Sequence, residues 1–264
     1  MTTFSKPVAA AAIAICVASC ASAPTGGDQW KPLFDGRTLD GWTPKIRGYA
    51  LGENYRDTFR VRDGAISVSY EAYDDFGERF GHLFYRTSFK AYRLRLEYRF
   101  LEDHPADTPA WAIANSGVMI FSQDPKTMAV EDSFPVSVEA QLLGQAPGQD
   151  RTNGNMCSPG TNVVMEGQLV TQHCVNSKMP VGTNGVWTRF EVEILPTGEI
   201  TQKIDGTTTI AYSDAQLDPA GGMANSKPLI EAAGGKLALN GGYISLQSEG
   251  HPIEFRNIEV LELR

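Results

Sequence analysis

From Gln29 onward the sequence alternates apolar and polar residues with a period of two, and no comparable stretch repeats apolar residues at helical spacing. Alternation of that kind puts successive side chains on opposite faces of a strand, so the chain is committed to an all-β architecture. The pattern runs through "TFRVRDGAISVSY", "YRLRLEYRF", "SGVMIFS", "PVSVEAQLL", "TRFEVEIL", "EITQKI", "TTTIAYS", "YISLQS" and "IEFRNIEVLEL", separated by Gly, Pro, Asn and Asp. Asp205-Gly206 predicts a tight hairpin, because a type I′ turn needs positive φ at both central residues. Many strands at short spacing, without βα alternation, predict a sandwich or jelly roll.

With 264 residues, 42% of them hydrophobic, the chain can bury a substantial core, and no composition break divides it. One domain is expected over residues 28–264. Two stretches read as irregular excursions: residues 143–185, long for a connection and therefore expected to be functional, and residues 215–235. The formal charge of −8 and the lack of a Lys/Arg run argue against nucleic acid or an anionic membrane surface as the main partner. No G-x-G-x-x-G loop is present, so no nucleotide cofactor is expected.

The N-terminus reads separately. After "MTTFSKP" comes "VAAAAIAICVA", too short for a comfortable membrane span and of signal-peptide size. Ala18 and Ser19 before Cys20 resemble a bacterial lipoprotein cleavage box, which makes residues 1–19 a signal peptide, Cys20 the lipidated first residue and 20–27 a tether. A plain signal peptide cut near "ASA" is the alternative. Either way an exported, periplasmic or cell-envelope protein is expected, the lipid anchor holding it at the membrane. Cys157 and Cys174 then remain in an oxidising compartment, where a disulfide is the expected outcome. A zinc site with His173 is the rival, but the spacing matches no C-x-x-C pattern.

Candidate site residues come from the polar faces. In "VSVEAQLLG", Glu139 and Gln141 alternate with an apolar row, and a single glutamate in that setting is usually solvated. Two further strands carry similar rows: Asn115, Gly117, Met119, Phe121 and Gln123 in one, and Tyr243, Ser245, Gln247, Glu249 and His251 in the other if it continues unbroken. Amide, carboxylate, imidazole and tyrosine together are a usual set for binding sugar hydroxyls. Glu139, Gln247 and His251 should converge if this reading holds. Of the remaining histidines, His82 between apolar neighbours reads either as a core residue or as a site residue, and His104 as a loop residue. Trp42 and Trp187 read as core, and Trp111 as a stacking platform.

Several motifs resemble a known family: "FDGRTLDGW", "NSGVMIF", "VSVEAQLLG", "VWTRFEVEI" and "GGYISLQSEGHPIEFRNIEVLEL", in that order from about Trp30 to Leu263. They resemble the 3-keto-disaccharide hydrolases, also described as 3-keto-glucoside 1,2-lyases and 3-keto-2-hydroxy-glucal hydratases. The resemblance implies a concanavalin A-like jelly roll and cleavage of 3-keto-glycosides. The 3-keto group acidifies the hydrogen on C2, a base removes it, the C1 oxygen leaves by β-elimination, and hydration follows. Such chemistry needs a base, a donor or cation at the enolate oxygen, and an acid. A divalent metal would serve the second role.

Carried onto this chain, the resemblance makes Glu139 a metal ligand or general base, and His251 and His173 candidates for acid, base or ligand. Asn115, Gln141, Gln247, Glu249 and His82 would orient sugar or metal. Where relatives often carry Arg or His after "NSG", this chain has Phe121, which implies a missing polar contact. A separate sugar dehydrogenase would have to make the keto substrate. The competing readings are a non-catalytic carbohydrate-binding module on the same kind of sandwich and a conventional glycosidase. The latter is weakened because "EVEILP" puts Pro196 where a laminarinase-type strand needs an acid.

Overall fold

A computed structural model describes residues 1–2 and 29–264. The expected signal segment, Cys16, Cys20 and the tether lie outside the described residues. Among those described, no helix is long and apolar enough to cross a membrane, and the α-helical structure is the single segment Lys227–Ala232.

Two large antiparallel sheets of ten and seven strands pack face to face, as a concanavalin A-like jelly roll. The seven-stranded sheet runs Cys174–Val175, Asn155–Cys157, Val138–Leu143, Asn115–Ser122, Tyr243–Ser248, Gly81–Tyr85, Trp42–Ile46. The apolar half of each alternating pattern supplies the layer between the sheets. Val118, Ala140, Leu142, Leu83 and Leu246 from the seven-stranded sheet share one core with Leu94, Leu96, Phe190, Val192, Phe255 and Val260 from the other. The predicted hairpin at Asp205-Gly206 joins Glu199–Ile204 to Thr207–Leu217, with both turn residues at positive φ.

The outer face of the ten-stranded sheet is a lattice of ion pairs: Arg95 with Glu259, Arg99 with Glu254, Arg256 with Glu97, and Arg93 with Glu193. Its residues pair with one another, which is the ordinary behaviour of a solvated sheet face. Trp187 belongs here and not to the core, since the guanidinium carbons of Arg99 and Arg256 lie 4.5 and 4.0 Å from its ring centroid. The aromatic face is held by cation–π contact. Trp42 does enter the core, its Nε1 donating to the Leu33 carbonyl at 2.8 Å.

The stretch 143–185 is not one long connection. It carries short strands that extend both sheets, and a further two-stranded pair, Thr152–Asn153 with Met179–Pro180. Cys157 and Cys174 stand directly opposite each other across two of these strands and are joined by a disulfide. The bond closes a loop with a sequence separation of 17, so replacing both cysteines with Ser should lower stability by about 3 kcal/mol. A chain of this size should then melt roughly 10 °C lower, and thermal melts with and without reductant check it.

Candidate active site

Strand register assigns the polar groups to one face. Glu139 stands opposite Met119 on one neighbour and Cys157 on the other; Gln141 stands opposite Gly117 and Asn155, and Leu143 opposite Asn115. Direct cross-strand partners point the same way. The row therefore faces away from the core, and loops rise around it to enclose a cavity of about 360 Å3. That volume lies at the small end for ligand sites.

Glu139 projects into this cavity because Gly117, its neighbour across the sheet, has no side chain. A Cβ there would stand 2.6 Å from Glu139 Oε1. Glu249 reaches the same cavity from the end of Tyr243–Ser248. After Glu249 the chain turns at Gly250, whose φ is +96°. The Gly250 N–H donates to Tyr70 Oη at 2.7 Å, and its carbonyl accepts from Thr108 Oγ1 at 2.8 Å. The turn thus fixes the carboxyl by its backbone.

Both carboxyls are buried, and neither forms a salt bridge among the described residues. Desolvation pushes the Glu139 carboxyl up to about 8. Desolvation, and then the charge of Glu139, push Glu249 well above the carboxylate range. Both carboxyls are raised, and like charges so close oppose double ionisation, so the pair gives up its protons in two steps that belong to the pair as a whole. Such a pair can remove a proton at one carboxyl and donate a hydrogen bond from the other.

Asn115, Gln141, His173 and Trp111 also line the cavity. Asn115 Nδ2 donates to the Trp111 carbonyl at 3.3 Å, while its buried Oδ1 has no partner. Gln141 Oε1 accepts from Asn155 Nδ2 at 2.9 Å. His173 is exposed at the disulfide, and partial burial holds its imidazole below the usual range. Trp111 stacks on Phe80, with centroids 5.9 Å apart.

Of the three residues expected to converge, Glu139 lines the cavity while Gln247 and His251 do not, and Glu249 lines it with Glu139. The positive φ at Gly250 breaks the alternation that would have carried His251 onto the polar row. Its Nε2 lies 2.7 Å from the Leu101 carbonyl, its ring packs against Phe100, and burial pushes it down to about 4. Gln247 and His82 do share the sheet face and stand opposite each other. Both are fully buried without side-chain partners and do not line the cavity, His82 packing edge-on against Phe134. Phe121 is absent from the site as well. The register between its strand and Tyr243–Ser248 shifts by one residue at this point, and Phe121 adopts a φ of +51°. The bulge turns the side chain into neighbouring cavities, so the substitution for a polar residue leaves the Glu139 cavity unaltered.

Arg151 and Gln149 line the cavity without having been singled out from the sequence. Arg151 donates from Nε to the Gly144 carbonyl at 3.0 Å and from its terminal nitrogens to the carbonyls of Ile113 and Ala114. It ties two loops together.

A metal can be tested against the donors present. Cys157, His173 and Cys174 form the one cluster of three ligand-type side chains among the described residues. The two sulfurs are bonded to each other, so they offer no thiolate and the zinc reading fails. Glu139, Glu249 and the unpartnered Oδ1 of Asn115 are oxygen donors, the set that suits a hard divalent cation completed by substrate oxygens.

Residues 29–261 match the pattern of the 3-keto-alpha-glucoside-1,2-lyase-like domain. A candidate glycosyl hydrolase of Parabacteroides distasonis ATCC 8503 superposes with a TM-score of 0.52 at 18% identity, over 89% of this chain and 100% of that one. A second from the same organism gives 0.51 at 16% identity, over 89% and 94%. A Bacillus subtilis protein of unknown function with a galectin-like fold gives 0.55 at 12% identity, over 89% and 94%. These likenesses show the fold alone. A search of curated proteins finds no match to this sequence.

Proposed function

This chain belongs to the 3-keto-alpha-glucoside-1,2-lyase-like family, and on that footing we propose that it cleaves 3-keto-glycosides by abstraction of the C2 proton, β-elimination and hydration. A carbohydrate-active role follows from the family. The finer reading is supported by one observation above all: two buried carboxyls share a small cavity with no cation paired to either. A conventional sugar offers them little, because its C2 hydrogen is not acidic. A 3-keto sugar offers a carbon acid.

In the proposed mechanism the Glu139 carboxylate takes the C2 proton. The pair of electrons left behind is delocalised onto the C3 oxygen, and the proton held on Glu249 donates a hydrogen bond to that enolate. The C1–O bond then breaks, and the proton collected by Glu139 is available to the departing oxygen. Addition of water across the resulting double bond gives the free keto sugar. Asn115 and Gln141, on the same sheet face, orient the ring hydroxyls. A divalent ion, when bound, would be held by Glu249 and Asn115 Oδ1 and would supply the positive charge otherwise provided by the Glu249 proton.

The substrate must come from a separate dehydrogenase acting on the sugar. We also propose that the chain is an exported lipoprotein, with residues 1–19 removed, Cys20 lipidated, 20–27 a tether and the domain beginning at residue 28. The Cys157–Cys174 disulfide supports an oxidising compartment. A carbohydrate-binding module would account for the amides and Trp111, yet it has no use for a strained carboxyl pair.

The test offers the purified protein a chromogenic 3-keto-glucoside deuterated at C2 and, in parallel, its unoxidised parent. Release from the keto compound alone, with loss of the deuterium, is expected. Binding of both without release would replace the enzyme reading with the module. Chelation followed by re-addition of Mg2+ or Mn2+ assigns the enolate partner: a rate lost and regained points to a cation, an unchanged rate to the Glu249 proton.

A further inference from the structure

We propose that the leaving group accommodated by this cavity is an apolar, ring-bearing alcohol and not a second sugar. The inference rests on the keto-glycoside reading and names its substrate class. It comes from the uneven distribution of polarity around the cavity. The polar groups Glu139, Gln141, Asn115 and Glu249, the amides each with one hydrogen bond already made, all arise from strands of the seven-stranded sheet or the turn directly after one. They form the floor of the cavity.

The walls and rim are different. They are built from Trp111, Phe134, Pro159 and Met223, and the Cys157–Cys174 disulfide adds apolar surface to the floor beside Glu139. Trp111 is 50% exposed and Met223 56% exposed, and they come from separate segments of the chain. Two large apolar side chains held at the mouth of a cavity leave surface that an apolar ligand would cover.

The polar wall residues do not offset this. Arg151 directs its guanidinium to the carbonyls of Gly144, Ile113 and Ala114 and to Gln149 Oε1, and Gln149 Nε2 donates to the Ala110 carbonyl at 2.7 Å. His173 is the polar exception. A second hexose would bring several hydroxyls into this surround and leave most without partners, at a desolvation cost for each. Trp111 could stack on a pyranose face, so an aromatic platform alone does not decide. The thioether, the proline and the committed wall donors beside it do.

Two substrates isolate the effect: 3-keto-glucosides of cyclohexylmethanol and of a second glucose linked through its primary hydroxyl, each prepared as both anomers. Both leave as primary alkoxides, so leaving-group acidity is matched. The expected kcat/KM is about tenfold higher for the cyclohexylmethyl compound. Trp111→Ala and Met223→Ser should each shrink that ratio, and Trp111→Tyr should restore part of it. Equal or faster cleavage of the disaccharide, or a ratio indifferent to both substitutions, overturns the inference while the keto-glycoside reading stands. No release from either compound overturns that reading and the inference with it.

Discussion

Glu139→Gln is expected to lower kcat on a 3-keto-glycoside by about a thousandfold, within the range that a positioned general base contributes, while leaving the fold intact. The amide is isosteric with the carboxyl and fills the same space beside Gly117, so packing is unchanged; what disappears is the lone pair that takes the C2 proton. The wild-type profile should show the same group. Rate should rise with pH through about 8, where burial sets the Glu139 carboxyl, and fall again at higher pH as Glu249 loses its proton.

Stability gives an independent reading of that residue. The folded-state value is raised above its ordinary 4.5, so the native chain binds more protons than the unfolded one between those values. Stability is therefore fully present below about 4.5 and is lost as pH rises through about 8. The Gln variant lacks this loss. Its melting temperature should exceed that of the wild type at pH 8 and above, and match it at pH 4. A variant that is both inactive and more stable in alkali separates a functional carboxyl from a structural one. An unchanged kcat would remove Glu139 from the mechanism.

The sequence makes Glu139 visible because a strand has a fixed period. Once Val138, Ala140 and Leu142 face the core, Glu139 and Gln141 must face away, and register then aligns them with Met119 and Gly117 on the next strand. The same arithmetic reaches Glu249 but fails two residues later. Gly250 adopts φ +96°, and a Cβ there would stand 3.1 Å from the Phe76 ring, so both the backbone and the space favour glycine. That neighbour is contributed by a loop more than a hundred residues away, and His251 falls in the turn between two strands, where alternation no longer applies. Phe121 is misplaced for a related reason, since a bulge beside Gly242 interrupts the alternation. Arg151 leaves no periodic signal at all: its position comes from three backbone carbonyls on other loops. Period-two reasoning thus recovers the sheets and the cavity floor, while walls assembled from tertiary contacts stay hidden.

Gly117→Ala carries the sharpest consequence of that floor, because it adds one methyl group and touches no reacting atom. Gly117 has an ordinary strand conformation, so the backbone tolerates alanine, and the φ-based objection to a side chain does not apply. Space is the obstacle. The new Cβ would meet Glu139 at Oε1, Cγ and Cδ, at 2.6, 2.7 and 2.9 Å, all inside normal contact. Glu139 is anchored by its own strand but its side chain borders an open cavity, so the carboxylate will swing outward and the sheet will hold. A misplacement of about 1 Å at a reacting group is enough to cost about a hundredfold in rate. The expectation is therefore a fall of that order in kcat on a 3-keto-glycoside, with a melting temperature within a few degrees of the wild type. Gly117→Ser should behave alike, since its Cβ is the same. Were Glu139 a bystander decorating a solvated face, both variants would retain full activity. Loss of activity in step with loss of folding would instead mean that the glycine serves the sheet and not the site.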